Sequence, residues 1–249
     1  MKTLLAVLLA LPAIVMYHRV DIAAPSDRIS QKLTVSPAQF ADELRALQRM
    51  GFHTIGIDDL VRDLALHHAP DPHAVLLTFD DGYSDQYSYA FPILRQFGDR
   101  ATFFVNVGSI GTPRHLTWPD VDTMARAGMS IECHGVSHAD LASLSIAAQN
   151  YQIDRCVQTL RTRLRSAVLA YAYPSGAFDE QTILLERRAG LVLGFTTDPR
   201  LQRDPFSPYE ISRIRVVNGM SDAFFGLLLE RTRVYVDAGS AKADPPTKP

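Results

Sequence analysis

Residues Val75-Leu76-Leu77-Thr78-Phe79-Asp80-Asp81-Gly82 form an apolar run that stops abruptly on two carboxylates and a glycine. A short run of this kind reads as a strand buried on both faces, which is typical of parallel sheets. In parallel α/β folds the residues at the carboxyl ends of the strands line the functional cleft. Two adjacent acids there repel each other unless a cation or a shared proton compensates. An Asp-Gly pair also suits a solvated turn, so this stretch alone leaves both readings open.

Similar apolar runs recur at 13–17, 53–57, 102–105, 129–133, 168–173, 193–196 and 214–217. Helical patterns lie between most of them. Ser36-Pro37-Ala38-Gln39 looks like a capping box with proline at the first helical position. Phe40, Leu44 and Leu47 then share one face, and Gly51 marks the stop. Thr117-Trp118-Pro119-Asp120 opens another helix, which Gly128 closes. Residues 147–164 read as a long amphipathic helix with Tyr151, Cys156, Leu160 and Leu164 as core contacts, and 179–188 and 222–231 as further helices. Strands alternating with helices, without repeat or long linker, imply one barrel-like α/β domain.

The balance of 25 basic against 27 acidic residues gives a net charge of −2, which argues against a general nucleic-acid binder. No apolar run reaches the ~20 residues of a spanning helix, which excludes a polytopic membrane protein. Residues 1–11, a single Lys2 followed by an almost wholly apolar stretch, resemble a short secretory signal or anchor, although no clean small-x-small site follows. The expected location is therefore extracytoplasmic: envelope, periplasm or secreted, with possible peripheral membrane association; the alternative is a buried first segment or a misplaced start codon, which would leave a cytoplasmic location open. Cys133 and Cys156 could form one bridge, but both fall in stretches that read as regular structure, which favours two buried thiols and leaves the compartment open. The tail 237–249, rich in Pro, Ala and Lys, is expected to be disordered.

A second chemical signal follows the strand at 129–133. His134-Gly135-Val136-Ser137-His138 places two histidines four apart, with Gly135 favouring a loop over a helix. One Asp with two His suits a catalytic divalent metal with a position left for water. Zinc, cobalt and nickel all fit these ligands. The alternative is two unrelated surface histidines.

Thr78-Phe79-Asp80-Asp81-Gly82 and His134-Gly135-Val136-Ser137-His138, followed by Asp140-Leu141, resemble the first two motifs of the polysaccharide deacetylases (carbohydrate esterase family 4, the NodB-homology domain). Met16-Tyr17-His18-Arg19-Val20, Phe91-Pro92-Ile93-Leu94, Ala101-Thr102-Phe103-Phe104-Val105, Tyr171-Ala172-Tyr173-Pro174-Ser175-Gly176 and Ser212-Arg213-Ile214 are similar to the branch that includes the poly-β-1,6-N-acetylglucosamine deacetylases. The resemblance implies a single distorted (β/α)7 barrel over 12–236 and metal-dependent removal of acetyl groups from an N-acetylated polysaccharide, by a chain expected to be monomeric. It implies Asp80 as general base, Asp81, His134 and His138 as metal ligands, and the Ser175 backbone N–H as oxyanion donor. An amidase or deformylase acting on a small or lipid-linked substrate, or a catalytically weak glycan-binding module, would also suit such a chain.

The departures from the family pattern are specific. Gly135 stands where Ser or Thr usually braces the metal loop. Ala172 occupies the slot of an arginine that orients the base, leaving Arg213 as the replacement. Ser175 replaces a usual tyrosine. No histidine follows His138, so the family's last-motif histidine is missing. His18 alone of the remaining histidines lies at the carboxyl end of an apolar strand, which makes it the candidate general acid or substrate-binding group, with a core brace as the alternative.

Overall fold

A computed structural model of the chain describes residues 11–23, 25–66, 68, 71–198 and 207–229. The strands are β1 (Ala13–Tyr17), β2 (Arg19–Val20), β3 (Thr34–Val35), β4 (His53–Ile55), β5 (Ala74–Phe79), β6 (Thr102–Val105), β7 (Ser130–Cys133), β8 (Ala170–Ala172), β9 (Leu193–Phe195) and β10 (Ile214–Arg215). The helices are α1 (Arg28–Leu33), α2 (Pro37–Arg49), α3 (Ile57–Ala65), α4 (Phe91–Phe97), α5 (Trp118–Arg126), α6 (Ile146–Leu164) and α7 (Glu180–Ala189), and residues 222–229 are also helical.

All strands except the small β2–β3 pair join one curled parallel sheet in the order β10-β1-β5-β6-β7-β8-β9, with β4 against the first half of β5. The chain itself spans the gap between the two ends of the sheet. Ile211 bridges Phe195 of β9, and Ile214 pairs with Val15 of β1. The result is a distorted α/β barrel closed by its last described strand.

Period-two alternation explains the two apolar layers. Ile14, Leu76, Phe104, Ala170, Ala172, Leu193, Phe195 and Ile211 form the inner cluster, joined by Ile57 and Leu60 of α3. Val15, Tyr17, Leu77, Phe79, Phe103, Val105, Ile131 and Cys133 face outward into the helices, among them Phe40, Leu44 and Leu47 of α2. Each fully buried side chain of this size contributes roughly 1.5–3 kcal/mol. Glu132, on the inner alternation, accepts the backbone amides of Leu169 (2.8 Å) and Ala170 (2.9 Å), tying β7 to the start of β8. Burial pushes its carboxyl up to about 8.

Three expectations are corrected. The run at 53–57 ends as a strand at Ile55, and Ile57 begins α3, whose first turn is held by the Gly56 amide donating to Asp59 Oδ2 (3.1 Å). Tyr151 is exposed, whereas Gln149 and Gln152 are buried. The inner face of α6 meets polar groups, which glutamines satisfy. Gln149 donates to Asp179 and accepts from the Thr182 hydroxyl. Cys133 and Cys156 are joined in a disulfide, their Cα atoms 6.0 Å apart. Two cysteines 23 residues apart are brought side by side by the β7–α6 crossover, which spacing alone does not reveal. The expected leader (1–11, of which only Leu11 is described) and the tail (237–249) lie outside the described residues.

The cross-link closes a loop long enough to restrict the unfolded chain. Replacing both cysteines by alanine should lower stability by about 3 kcal/mol, read as an earlier urea midpoint in oxidising buffer. An unchanged midpoint would contradict this contribution.

Candidate active site

On β5, the inner alternation Leu76, Thr78 continues to Asp80, which is 1% exposed. Arg213, 2% exposed, meets it as a two-pronged fork, Nη1 donating to Oδ1 and Nη2 to Oδ2, each at 2.7 Å. Nη1 also donates to Thr78 Oγ1 (3.1 Å) and Nε to the Thr196 carbonyl (3.2 Å). The guanidinium lies 5.6 Å from the Phe104 ring and 6.0 Å from the Phe195 ring. Burial pushes the Asp80 carboxyl up, but the charge and hydrogen bonds of Arg213, together with the nearby His134 and His18, hold the group below its usual range. The strand segment that closes the barrel thus delivers the arginine to the carboxylate at its mouth.

Asp81 takes a left-handed backbone, φ 75°, which turns its side chain away from the line of Asp80. His134 Nε2 and His138 Nε2 each lie 3.3 Å from Asp81 Oδ1. One donor atom from each of the three residues lies within 4.8 Å of the others. His134 continues β7, its amide bonded to the Val105 carbonyl (3.0 Å). Its Nδ1 is 2.7 Å from the Ala172 carbonyl. A carbonyl only accepts, so Nδ1 carries a proton, and in the metal-binding tautomer it is the Nε2 lone pair that faces Asp81. Asp81 Oδ1 is buried and has no hydrogen-bond partner. A carboxylate oxygen facing an imidazole lone pair is repulsive unless a positive charge sits between or on them. A divalent cation fits this donor set, and the Nδ1–carbonyl bond is the usual way a metal-binding histidine is oriented.

The sequence places Gly135 where a bracing hydroxyl is expected, and the structure supplies the brace from elsewhere. Gln152 of α6 accepts the amides of Val136 (2.8 Å) and Ser137 (3.1 Å). A Cβ at Gly135 (φ +90°) would fall 2.7 Å from the Tyr171 hydroxyl and 3.2 Å from Gln152 Oε1, so glycine is what lets Gln152 approach. Sequence reasoning missed Gln152; its one signal is two glutamines three apart on the face that also carries Ile153 and Cys156.

His18 follows β1 on the same alternation as Ile14 and Met16. Its Nδ1 is buried without a hydrogen-bond partner, and its carbonyl accepts from Gln86 Nε2 (2.7 Å). Burial lowers its pKa, with Asp80 and Asp81 near enough to oppose that shift in part. Ser175 lies exposed on the turn Pro174–Gly176 after β8, at φ 57°. Among the described residues five non-glycines have positive φ, and Asp81, His138 and Ser175 are three of them. Such conformations cost of order 1–3 kcal/mol and collect at functional sites.

The polysaccharide deacetylase family model matches residues 67–194, about half of the chain. The chain belongs to the polysaccharide deacetylase family. It is 30% identical over 217 residues to YxkH of Bacillus subtilis, covering 87% of this chain and 75% of that one. It is 21% identical to a poly-beta-1,6-N-acetyl-D-glucosamine N-deacetylase of Staphylococcus aureus, covering 86% and 80%. Among solved structures, the Streptococcus pyogenes deacetylase PplD in complex with acetate superposes with a TM-score of 0.79 at 29% identity, over 88% of this chain and 97% of that chain. The barrel is therefore of the NodB-homology type.

Removing Arg213 would strand a buried carboxylate. Arg213→Met should cost about 3–5 kcal/mol of stability, and adding Asp80→Asn should recover part of that loss. Chemical unfolding of the single and double variants reads this directly. Equal losses in both would contradict the pairing.

Proposed function

We propose that this family member is a divalent-metal-dependent N-deacetylase of N-acetylated sugar polymers. The observation that carries this reading is the convergence of Asp81, His134 and His138 beside a buried Asp80 held by Arg213. The family membership and the named activity of the staphylococcal relative support a polymer of N-acetylglucosamine type as substrate. A metal held by Asp81, His134 and His138, zinc by preference with cobalt and nickel compatible, supplies a Lewis acid that polarises the acetyl carbonyl and acidifies a water.

The remaining chemistry belongs to the chain's own residues. Asp80 takes the proton of the attacking water. A carboxylate offers about four lone-pair sites, and Arg213 occupies two, so the base stays ionised, oriented and still able to accept. The Ser175 amide N–H donates to the carbonyl oxygen as it gains charge. The C–N bond then breaks to release acetate, and the amine must leave protonated. His18, kept neutral by burial at ordinary pH, is the group proposed to relay that proton or to bind a substrate oxygen in place of the missing last-motif histidine.

An extracytoplasmic site of action is part of the proposal. The Cys133–Cys156 disulfide is a bond that persists in oxidising compartments, and the apolar first residues suit export. Among the described residues no helix is long and apolar enough to cross a membrane; the proposal takes the chain as a monomer.

Activity on acetylated glucosamine oligomers, assayed with and without chelator, tests the reading. Asp80→Asn should keep the bound metal and lose roughly 10²–10⁴-fold in turnover. A near-native rate in that variant would place the base elsewhere. Glycan binding without turnover in the metal-loaded wild type would make the protein a binding module.

A further inference from the structure

The two proposed metal histidines are held in different ways. His134 sits at the end of β7, its backbone bonded to Val105 and its ring to the Ala172 carbonyl. His138 is half-exposed and lies at φ 56°, so its place depends on the loop that leads to it. One edge of that loop is held by backbone. The amides of Val107 and Gly108 donate to the carbonyls of Gly135 (3.0 Å) and Val136 (2.9 Å). The other edge rests on one side chain. Gln152 Oε1 accepts both successive amides, Val136 and Ser137, and Nε2 donates to Ser137 Oγ at 2.9 Å. The same helix face carries Cys156 one turn later, bonded to Cys133, the residue before His134. Helix α6 is therefore fixed covalently just before the first histidine and grips the loop just before the second.

We propose that Gln152 is a positioning residue for the metal site, setting the 135–137 loop so that His138 Nε2 meets Asp81 and His134. This rests on the reading of Asp81, His134 and His138 as the metal ligands. Without Gln152 two loop amides lose their acceptor, and the loop can relax into the solvent that His138 already borders. The loss should fall on His138 alone, because His134 keeps its own bonds. A glutamate at 152 would keep the function: one carboxylate oxygen accepts both amides and the other accepts from the Ser137 hydroxyl.

The test is zinc affinity of the metal-stripped full chain, measured by competition with a chromophoric chelator, with circular dichroism as the check on folding. Wild type should bind one zinc. Gln152→Leu should weaken zinc binding by about 10–100-fold, the usual cost of losing a group that orients a metal ligand. Gln152→Glu should stay within a few-fold of wild type. Ser137→Ala, at an exposed position that folding tolerates, should weaken zinc by a few-fold and keeps the test open if Gln152→Leu does not fold. In a His138→Ala background, Gln152→Leu should add nothing further. Wild-type affinity in Ser137→Ala together with a folded Gln152→Leu would overturn the proposal while leaving the metal site standing. A further loss in the His138→Ala background would show that Gln152 acts through something other than His138. Absence of zinc binding by wild type would remove the metal-site reading, and the role of Gln152 with it.

Discussion

Two adjacent carboxylates at the end of one buried strand are the constraint on which the rest of this site depends. Asp80 and Asp81 repel each other, and burial makes each costly to ionise. The fold answers by compensating them in different directions. Asp80 stays on the inner alternation of β5 and meets Arg213, carried by the segment that closes the barrel. Asp81 turns into a left-handed conformation and faces His134 and His138. The first compensation is complete within the chain, with two short charge-assisted hydrogen bonds. The second leaves a buried carboxylate oxygen without a hydrogen-bond partner 3.3 Å from two imidazole nitrogens, an arrangement that suits a cation.

This division of labour explains why barrel closure and chemistry are linked. β10 is only two residues long and pairs with β1 at Ile214, and the chain just before it bridges β9 at Ile211. Arg213 lies between these anchor points, so the residue that neutralises Asp80 is fixed on both sides by backbone pairing. Packing of the guanidinium against Phe104 and Phe195 shields the pair from water, which strengthens the attraction that offsets the desolvation of both ions.

Much of the fold was legible because each buried strand is a short apolar run and each helix announces its start. Ser36 and Thr117 cap their helices as their sequence contexts suggest, the Thr117 box closing with Asp120, whereas Gln39 turns to Glu43 and the Val217 carbonyl and leaves the Ser36 box open. Ile57 misled because His53-Thr54-Ile55-Gly56-Ile57 alternates like a strand, while a capping aspartate two residues later turns the chain into a helix. The convergence of Asp81, His134 and His138 could be anticipated because acids and histidines at the carboxyl ends of parallel strands face one cleft, and the pairing of Asp80 with Arg213 because Ala172 leaves the usual arginine slot empty. The Cys133–Cys156 bond and the Gln152 brace were not legible. Both join residues that only the β7–α6 crossover brings together, and a glutamine on a helix normally signals solvent. Tyr151 reads as core in the sequence for the same reason: the polar demands of the loop rotate the buried face of α6 toward its glutamines.

The most direct test of the account is X-ray absorption at the zinc edge of the zinc-loaded chain. The account predicts one zinc per chain with scattering from two imidazoles and from oxygen ligands, and loss of one imidazole shell in His138→Ala. A spectrum without imidazole scattering, or one unchanged by His138→Ala, would contradict the central claim that Asp81, His134 and His138 form the metal centre.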